Sequence, residues 1–254
     1  MIVVNKETRY DIPLLIVSED HNQNAPLPTL LYIHGFTSSK EINLSLAYWV
    51  ASKGYRVVLM DCLYHGERKN ELSNNEMDIL FWDIVNQNLK DIQTLKDDLE
   101  ERGLLLDGRF GVAGTSMGGI TTCAALVMYP WIKVGACLMG SPKTVRFFDY
   151  LLEGASKNGV NIPFSDEELQ EVRESLTKID LSQNMEAIGG RPLFFWHGDA
   201  DRTVPFDHSY DFYNAAIKHY KNPENIRFLR EPGRDHKTSR FALMETAEWF
   251  ELHL

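Results

Sequence analysis

A chain of 254 residues, 44% hydrophobic and 24% charged, has room for a substantial core in one α/β domain or two small ones. Its net charge of −10, with no basic tract, argues against non-specific binding to nucleic acid or to an anionic membrane surface. No apolar run approaches about 18 residues, and the start, Met1-Ile-Val-Val-Asn-Lys-Glu, lacks the regions of a signal peptide, so no membrane partner is expected.

In chain order, Ile2 to Val4 and Ile12 to Val17 read as two strands, followed by a loop rich in Asn and Pro. Thr29 to His34 is a continuous apolar run, as for a strand buried on both faces, and ends in His34-Gly35-Phe36-Thr37. A helix is predicted from Ser38, where Ser-Ser-Lys-Glu41 fits a capping box, to Gly54. The next strand, Tyr55 to Asp61, leads into Cys62-Leu-Tyr64-His65-Gly66-Glu67. Apolar spacing from about Met77 to Glu101 predicts one long amphipathic helix closed by Gly103. Further strands are expected at Phe110 onward, Val134 to Met139, Pro192 to Gly198 and Ile226 to Arg230. Helices are expected to Tyr129-Pro130, from about Phe206 to Tyr220, and from Thr238 to the end. Such alternation implies a mainly parallel, doubly wound α/β sheet covered on both faces.

One connection is too long for a crossover. Residues 141–191, about 50 in all, separate two consecutive strands. Helices are expected at Ser141-Pro142, with proline at the first helical position, and at Ser165-Asp-Glu-Glu168, a second capping box. The segment reads as a small helical cap inserted at the carboxyl ends of the strands of a single domain, residues 1–254. Cys62, Cys123 and Cys137 are an odd number without metal spacing, so reduced thiols in a cytoplasm are expected, with Cys123 and Cys137 as core filler.

Chemistry is signalled first at Phe110 to Met128, where an apolar run ends in Gly114-Thr-Ser116-Met117-Gly118 and a small-residue helical segment follows. A serine at the apex of a sharp strand-to-helix turn sits in strained backbone, and glycines let strand and helix pass closely. Its Oγ then stands above the sheet, and the Met117 N–H points at developing negative charge. The same five residues could equally form a turn that merely packs, so the partners decide. A nucleophilic serine needs a histidine base and an orienting acid. After Ser116, two segments that each leave a strand offer them: His197-Gly-Asp199-Ala-Asp201-Arg-Thr-Val-Pro205 and Gly233-Arg-Asp235-His236. His236 is the base. Asp235 adjoins it in the chain, which points the two side chains apart, so the acid lies in the first segment.

On these residues, with His34-Gly35-Phe36 and Asp61 to Gly66, the chain resembles the α/β-hydrolase superfamily over nearly its whole length. It is most similar to small bacterial esterases of the prolyl-oligopeptidase-like and dienelactone-hydrolase-like branch. The resemblance implies the α/β-hydrolase fold, Asp201 rather than Asp199 as the acid, and the amides of Phe36 and Met117 as the oxyanion hole. Dienelactone hydrolases of this branch use cysteine where this chain has Ser116, which moves the expectation toward ordinary esters.

The expected activity is hydrolysis of small-molecule carboxylic esters through an acyl-enzyme on Ser116, His236 and Asp201, with no cofactor and no metal. Peptidase, thioesterase, amidase and acyltransferase share the machinery, and a non-catalytic ligand-binding protein is the alternative from another class. Tyr64, His65, Phe147, Phe148 and Phe164 are candidates to line the substrate site. His34 and His197 are expected to shape turns, and His208, His219 and His253 to be solvated. The acidic runs Asp97 to Glu101 and Asp166 to Glu168 are expected to be solvated helix faces. The oligomeric state is not encoded in any motif.

Overall fold

The apolar runs resolve into eight strands among residues 1–160 and 162–254, which the computed structural model of the protein describes. They are β1 (Ile2–Arg9), β2 (Ile12–Glu19), β3 (Leu27–Ile33), β4 (Arg56–Met60), β5 (Leu105–Thr115), β6 (Val134–Leu138), β7 (Leu193–Gly198) and β8 (Ile226–Glu231). The helices are α1 (Leu44–Ala51), α2 (Asn74–Ile79), α3 (Phe81–Glu101), α4 (Met117–Met128), α5 (Thr144–Lys157), α6 (Asp166–Thr177), α7 (Phe206–Ala216) and α8 (Arg240–His253).

The strands form one sheet in the order β1-β2-β4-β3-β5-β6-β7-β8. β1 and β2 make a hairpin, and β2 pairs antiparallel with β4; from β4 to β8 every pairing is parallel. Tyr10 and Asp11, both at positive φ (48° and 62°), supply the hairpin turn. Strand side chains alternate between the faces. Leu31, Ile33, Val58 and Met60 pack with α3, α4 and α7, while Leu30, Tyr32, Val57 and Leu59 pack with α1 and α8. Burial on both faces is why β3, β4, β6 and β7 read as unbroken apolar runs.

Three predicted helix starts are corrected. The helix expected at Ser38 begins as a 3-10 turn at Lys40, and α1 proper starts at Leu44. The capping box fails because Asp61 Oδ1 accepts the Lys40 N–H (3.0 Å) and Glu41 turns its carboxylate to Lys40 Nζ (2.9 Å). The long helix expected from Met77 starts earlier, at a Ser73–Glu76 capping box, and unwinds by one residue at Leu80. The helix expected at Ser141-Pro142 starts at Thr144, because Asp180 Oδ2, from beyond α6, accepts the Val145 N–H (3.0 Å). The Ser165–Glu168 capping box of α6 is formed as expected. One acidic run also differs: Asp98 is buried, paired with Arg9 and Arg102 (3.1 Å to the latter), which closes the end of α3 onto the hairpin.

All three cysteines are free and buried. Among the described residues, no helix is long and apolar enough to cross a membrane.

Candidate active site

β5 delivers Ser116 to the carboxyl edge of the sheet, where α4 begins at once. Ser116 holds φ 56° and ψ −116°, a conformation a side chain rarely adopts. The neighbours keep it there. The Ser116 N–H donates to Leu138 O of β6 (2.8 Å), and a Cβ on Gly118 would run into the carbonyl oxygens of Ile33 and His34. Only glycine lets α4 sit this close to β3, and that approach forces the sharp turn.

The loops after β7 and β8 bring the base and acid to it. His236 Nε2 lies 2.8 Å from Ser116 Oγ, and His236 Nδ1 lies 2.7 Å from Asp201 Oδ2. Asp199 is directed elsewhere: it accepts from Arg230 Nε (2.8 Å) and the Gly233 N–H (2.6 Å), lashing the two loops together. The Ala200 N–H, bonded to Arg234 O (3.0 Å), adds to the lashing. Asp235 is exposed.

Asp201 is 8% exposed. Its Oδ1 accepts the N–H groups of Thr203 (2.8 Å) and Val204 (3.0 Å). Burial alone would push this carboxyl up. Hydrogen bonds from His197 and His236, the charge on His236 and the Val204 amide outweigh that and hold it well below the usual carboxylate range. It is ionised wherever the protein is folded in neutral solution.

Met117 is the first residue of α4, so its N–H has no acceptor inside the helix. The Phe36 N–H, in the loop after β3, has no acceptor among the described residues. Two histidines fix that loop. His65 Nε2 accepts the Thr37 N–H (2.9 Å) while its Nδ1–H donates to Leu63 O (2.8 Å). His34 Nε2 accepts the Cys62 N–H (3.0 Å), and its Nδ1–H donates to Gly35 O (2.7 Å). Both rings must be neutral to accept these bonds. Burial lowers the His65 pKa and takes that of His34 down to about 4. Below them, Lys40, 1% exposed, puts Nζ 2.6 Å from Asp61 Oδ2 and 2.5 Å from Glu67 Oε1. Burial opposes the charge on Lys40, but its carboxylate partners more than restore it and raise its pKa. The loop after β3 is thus clamped to the loop after β4.

An aromatic wall continues from Phe36 over Phe81 (centroids 5.7 Å apart) to Phe147 (6.0 Å from Phe81), and on to Tyr150 and His208. Phe147 also packs with Ile120, one turn beyond Ser116, and Val204. Tyr150 Oη donates to Arg202 O (2.7 Å), tying α5 to the loop that carries Asp201.

Of the residues expected from sequence, Ser116, Asp201, His236, Phe36, Met117 and Phe147 gather at the carboxyl edge. His65 turns its ring against Phe36 (5.4 Å) with both nitrogens engaged by backbone. Tyr64 is half-buried at φ 63°. Phe148 lies in the main core, with Trp82 edge-on at 6.3 Å and Arg173 across its ring. Phe164 is 41% exposed on the loop before α6. Tyr150, which the sequence groups with the other cap aromatics, stacks on Phe147, whereas Phe81 and Trp82 are readable from sequence only as helix residues.

His208 corrects its expectation: it is 4% exposed, with Nδ1 3.0 Å from Ser141 Oγ, and burial takes its pKa down to about 4. His253 is half-buried against Trp249 rather than solvated. His219 is exposed as expected.

His34 and His208 give a pH prediction. Unfolded, each titrates near 6.5; folded, near 4. Between those values the unfolded chain binds more protons, so stability falls as pH drops through the window. The two together amount to several kcal/mol, at roughly 1.4 kcal/mol per pKa unit. Tm measured from pH 7 to 4 should fall steeply below about 6.5, and the fall should flatten in a His208→Gln variant.

A mainly parallel sheet, a serine on a strained strand-to-helix turn and an adjoining histidine and aspartate define the α/β-hydrolase class of serine hydrolases. Residues 42–253 match the prolyl oligopeptidase family, and the chain belongs to that family. It is 42% identical over 255 aligned positions to YitV of Bacillus subtilis (strain 168), covering 100% of both chains. It is 28% identical, again with 100% of both covered, to Esterase YjfP of Escherichia coli (strain K12). The solved structure of TT1662 from Thermus thermophilus superposes with a TM-score of 0.77 at 19% identity, over 99% of this chain and 98% of that one.

Proposed function

We propose that the protein hydrolyses small-molecule carboxylic esters through Ser116, His236 and Asp201 and an acyl-enzyme intermediate. The observation that carries this reading is the unbroken hydrogen-bond chain from Ser116 Oγ through His236 to Asp201, at 2.8 and 2.7 Å. A relative named as an esterase, alike over its full length, supports the substrate class.

In this mechanism Ser116 Oγ attacks the ester carbonyl carbon while His236 Nε2 takes the hydroxyl proton. The amides of Phe36 and Met117 hold the oxyanion. The C–O bond to the leaving alcohol breaks as His236 returns the proton to it. Water then attacks the acyl carbon, losing its proton to His236. The bond from that carbon to Ser116 Oγ breaks as His236 returns the proton to Oγ, releasing the acid. Asp201 keeps His236 in the tautomer with Nδ1 protonated and faces the imidazolium that forms. Three buried free thiols support a reducing, cytoplasmic setting.

Residues 141–191 act as a cap on a single hydrolase domain, and Phe147 forms part of the acyl wall. Truncation at Phe147→Ala should raise kcat/KM for longer acyl chains and lower it for short ones. The expected shift is roughly tenfold, since one methylene in a pocket discriminates by about 1–3 kcal/mol. Phe148→Ala should instead lower stability by roughly 3–5 kcal/mol and leave the chain-length profile unchanged. A p-nitrophenyl ester series from acetate to palmitate on both variants, beside melting curves, checks both. The same series set against p-nitroanilides tests the reaction class, and faster turnover of anilides than of esters would move the activity to a peptidase or amidase.

A further inference from the structure

A second histidine reaches the Asp201 carboxylate. His197, on β7 and 1% exposed, puts Nε2 3.2 Å from Asp201 Oδ2 and 3.1 Å from Val204 O. Both of those oxygens only accept, so Nε2 carries the proton and donates to them. The other nitrogen, Nδ1, is buried with no hydrogen-bond partner among the described residues. A buried acceptor without a partner is costly, and a turn needs no imidazole to shape it.

Asp201 therefore receives four donors. Two amides hold Oδ1, and the rings of His236 and His197 share Oδ2. The amides alone would leave the carboxylate free to swing about the Oδ1 side. The His197 N–H gives Oδ2 a second anchor beside His236, and Phe206 supports the His197 ring edge-on at 5.8 Å. We infer that His197 is a positioning residue for the acid of the triad, holding Asp201 Oδ2 in line with His236 Nδ1 as His236 gains and loses its proton. The inference rests on the triad reading above. It predicts that what matters at position 197 is an N–H at the place of Nε2, which a glutamine supplies and a phenylalanine does not.

The test compares His197→Phe and His197→Gln by kcat and KM per folded molecule, alone and with Asp201→Asn. His197→Phe should lower kcat about tenfold to a hundredfold, the usual effect of losing a hydrogen bond to a charged group, with KM within about twofold. His197→Gln should recover most of the lost kcat. In the Asp201→Asn background His197→Phe should have little further effect, since it acts through that carboxylate. If His197→Phe fails to fold, the smaller His197→Leu takes its place in each comparison. Equal kcat in the donor-free and glutamine variants, or full additivity with Asp201→Asn, would overturn the inference. Full activity in Asp201→Asn alone would instead remove the triad reading beneath it.

Discussion

Ser116→Ala should lower kcat for ester hydrolysis by about a millionfold, the order found when a triad nucleophile is removed, and leave the fold standing. Among the described residues the serine hydroxyl bonds only to His236 Nε2, so alanine orphans no buried group there. What holds the elbow is backbone: the Ser116 N–H on Leu138 O and the approach of Gly118 to β3. Neither depends on the side chain at position 116. Steady-state kinetics with a melting curve separates the two effects, and a folded variant retaining more than a few per cent of activity would transfer the nucleophile elsewhere.

Asp201→Asn should cost on the order of 10³–10⁴ in kcat, comparable to the loss when a triad acid becomes an amide. The donors around it explain why. The asparagine oxygen, taking the place of Oδ1, accepts from the Thr203 and Val204 amides. Its NH₂ then faces the N–H groups of both His197 and His236. His236 relieves the clash by moving its proton to Nε2, which turns a donor toward Ser116 Oγ and leaves no base. Asp199→Asn should do far less, because Asp199 braces the loop through Arg230 and Gly233 rather than touching the base. Paired kinetic measurements on the two variants decide the acid, and the reverse ranking would assign it to Asp199.

Much of this was legible in the sequence because it depends on local chemistry. The parallel strands announced themselves as apolar runs, since burial on both faces removes polar alternation. Ser116 was legible because few residue types tolerate its turn, and the glycines around it leave a pattern. What stayed hidden depends on contacts between distant segments. The failed capping box at Ser38 follows from Asp61, just past the end of β4, taking the Lys40 amide. His65 looked like a residue of the substrate site, but the fold turns both its nitrogens into backbone partners of two loops. His208 sat on a helix of mixed polarity, and only the packing of α5 and Ser141 against it reveals that it is buried. The aromatic wall joins residues from four separate segments, so no spacing rule could assemble it.

Trapping the covalent species tests the central claim most directly. The purified protein is mixed with a fluorophosphonate, and separately quenched in acid during turnover of a slowly deacylated ester, and the modified peptide is identified by mass spectrometry. A single phosphonyl or acyl adduct on Ser116, absent from His236→Ala within the same reaction time, is the predicted result. Ester turnover by folded protein with no adduct on Ser116, or with the adduct on another side chain, would contradict it.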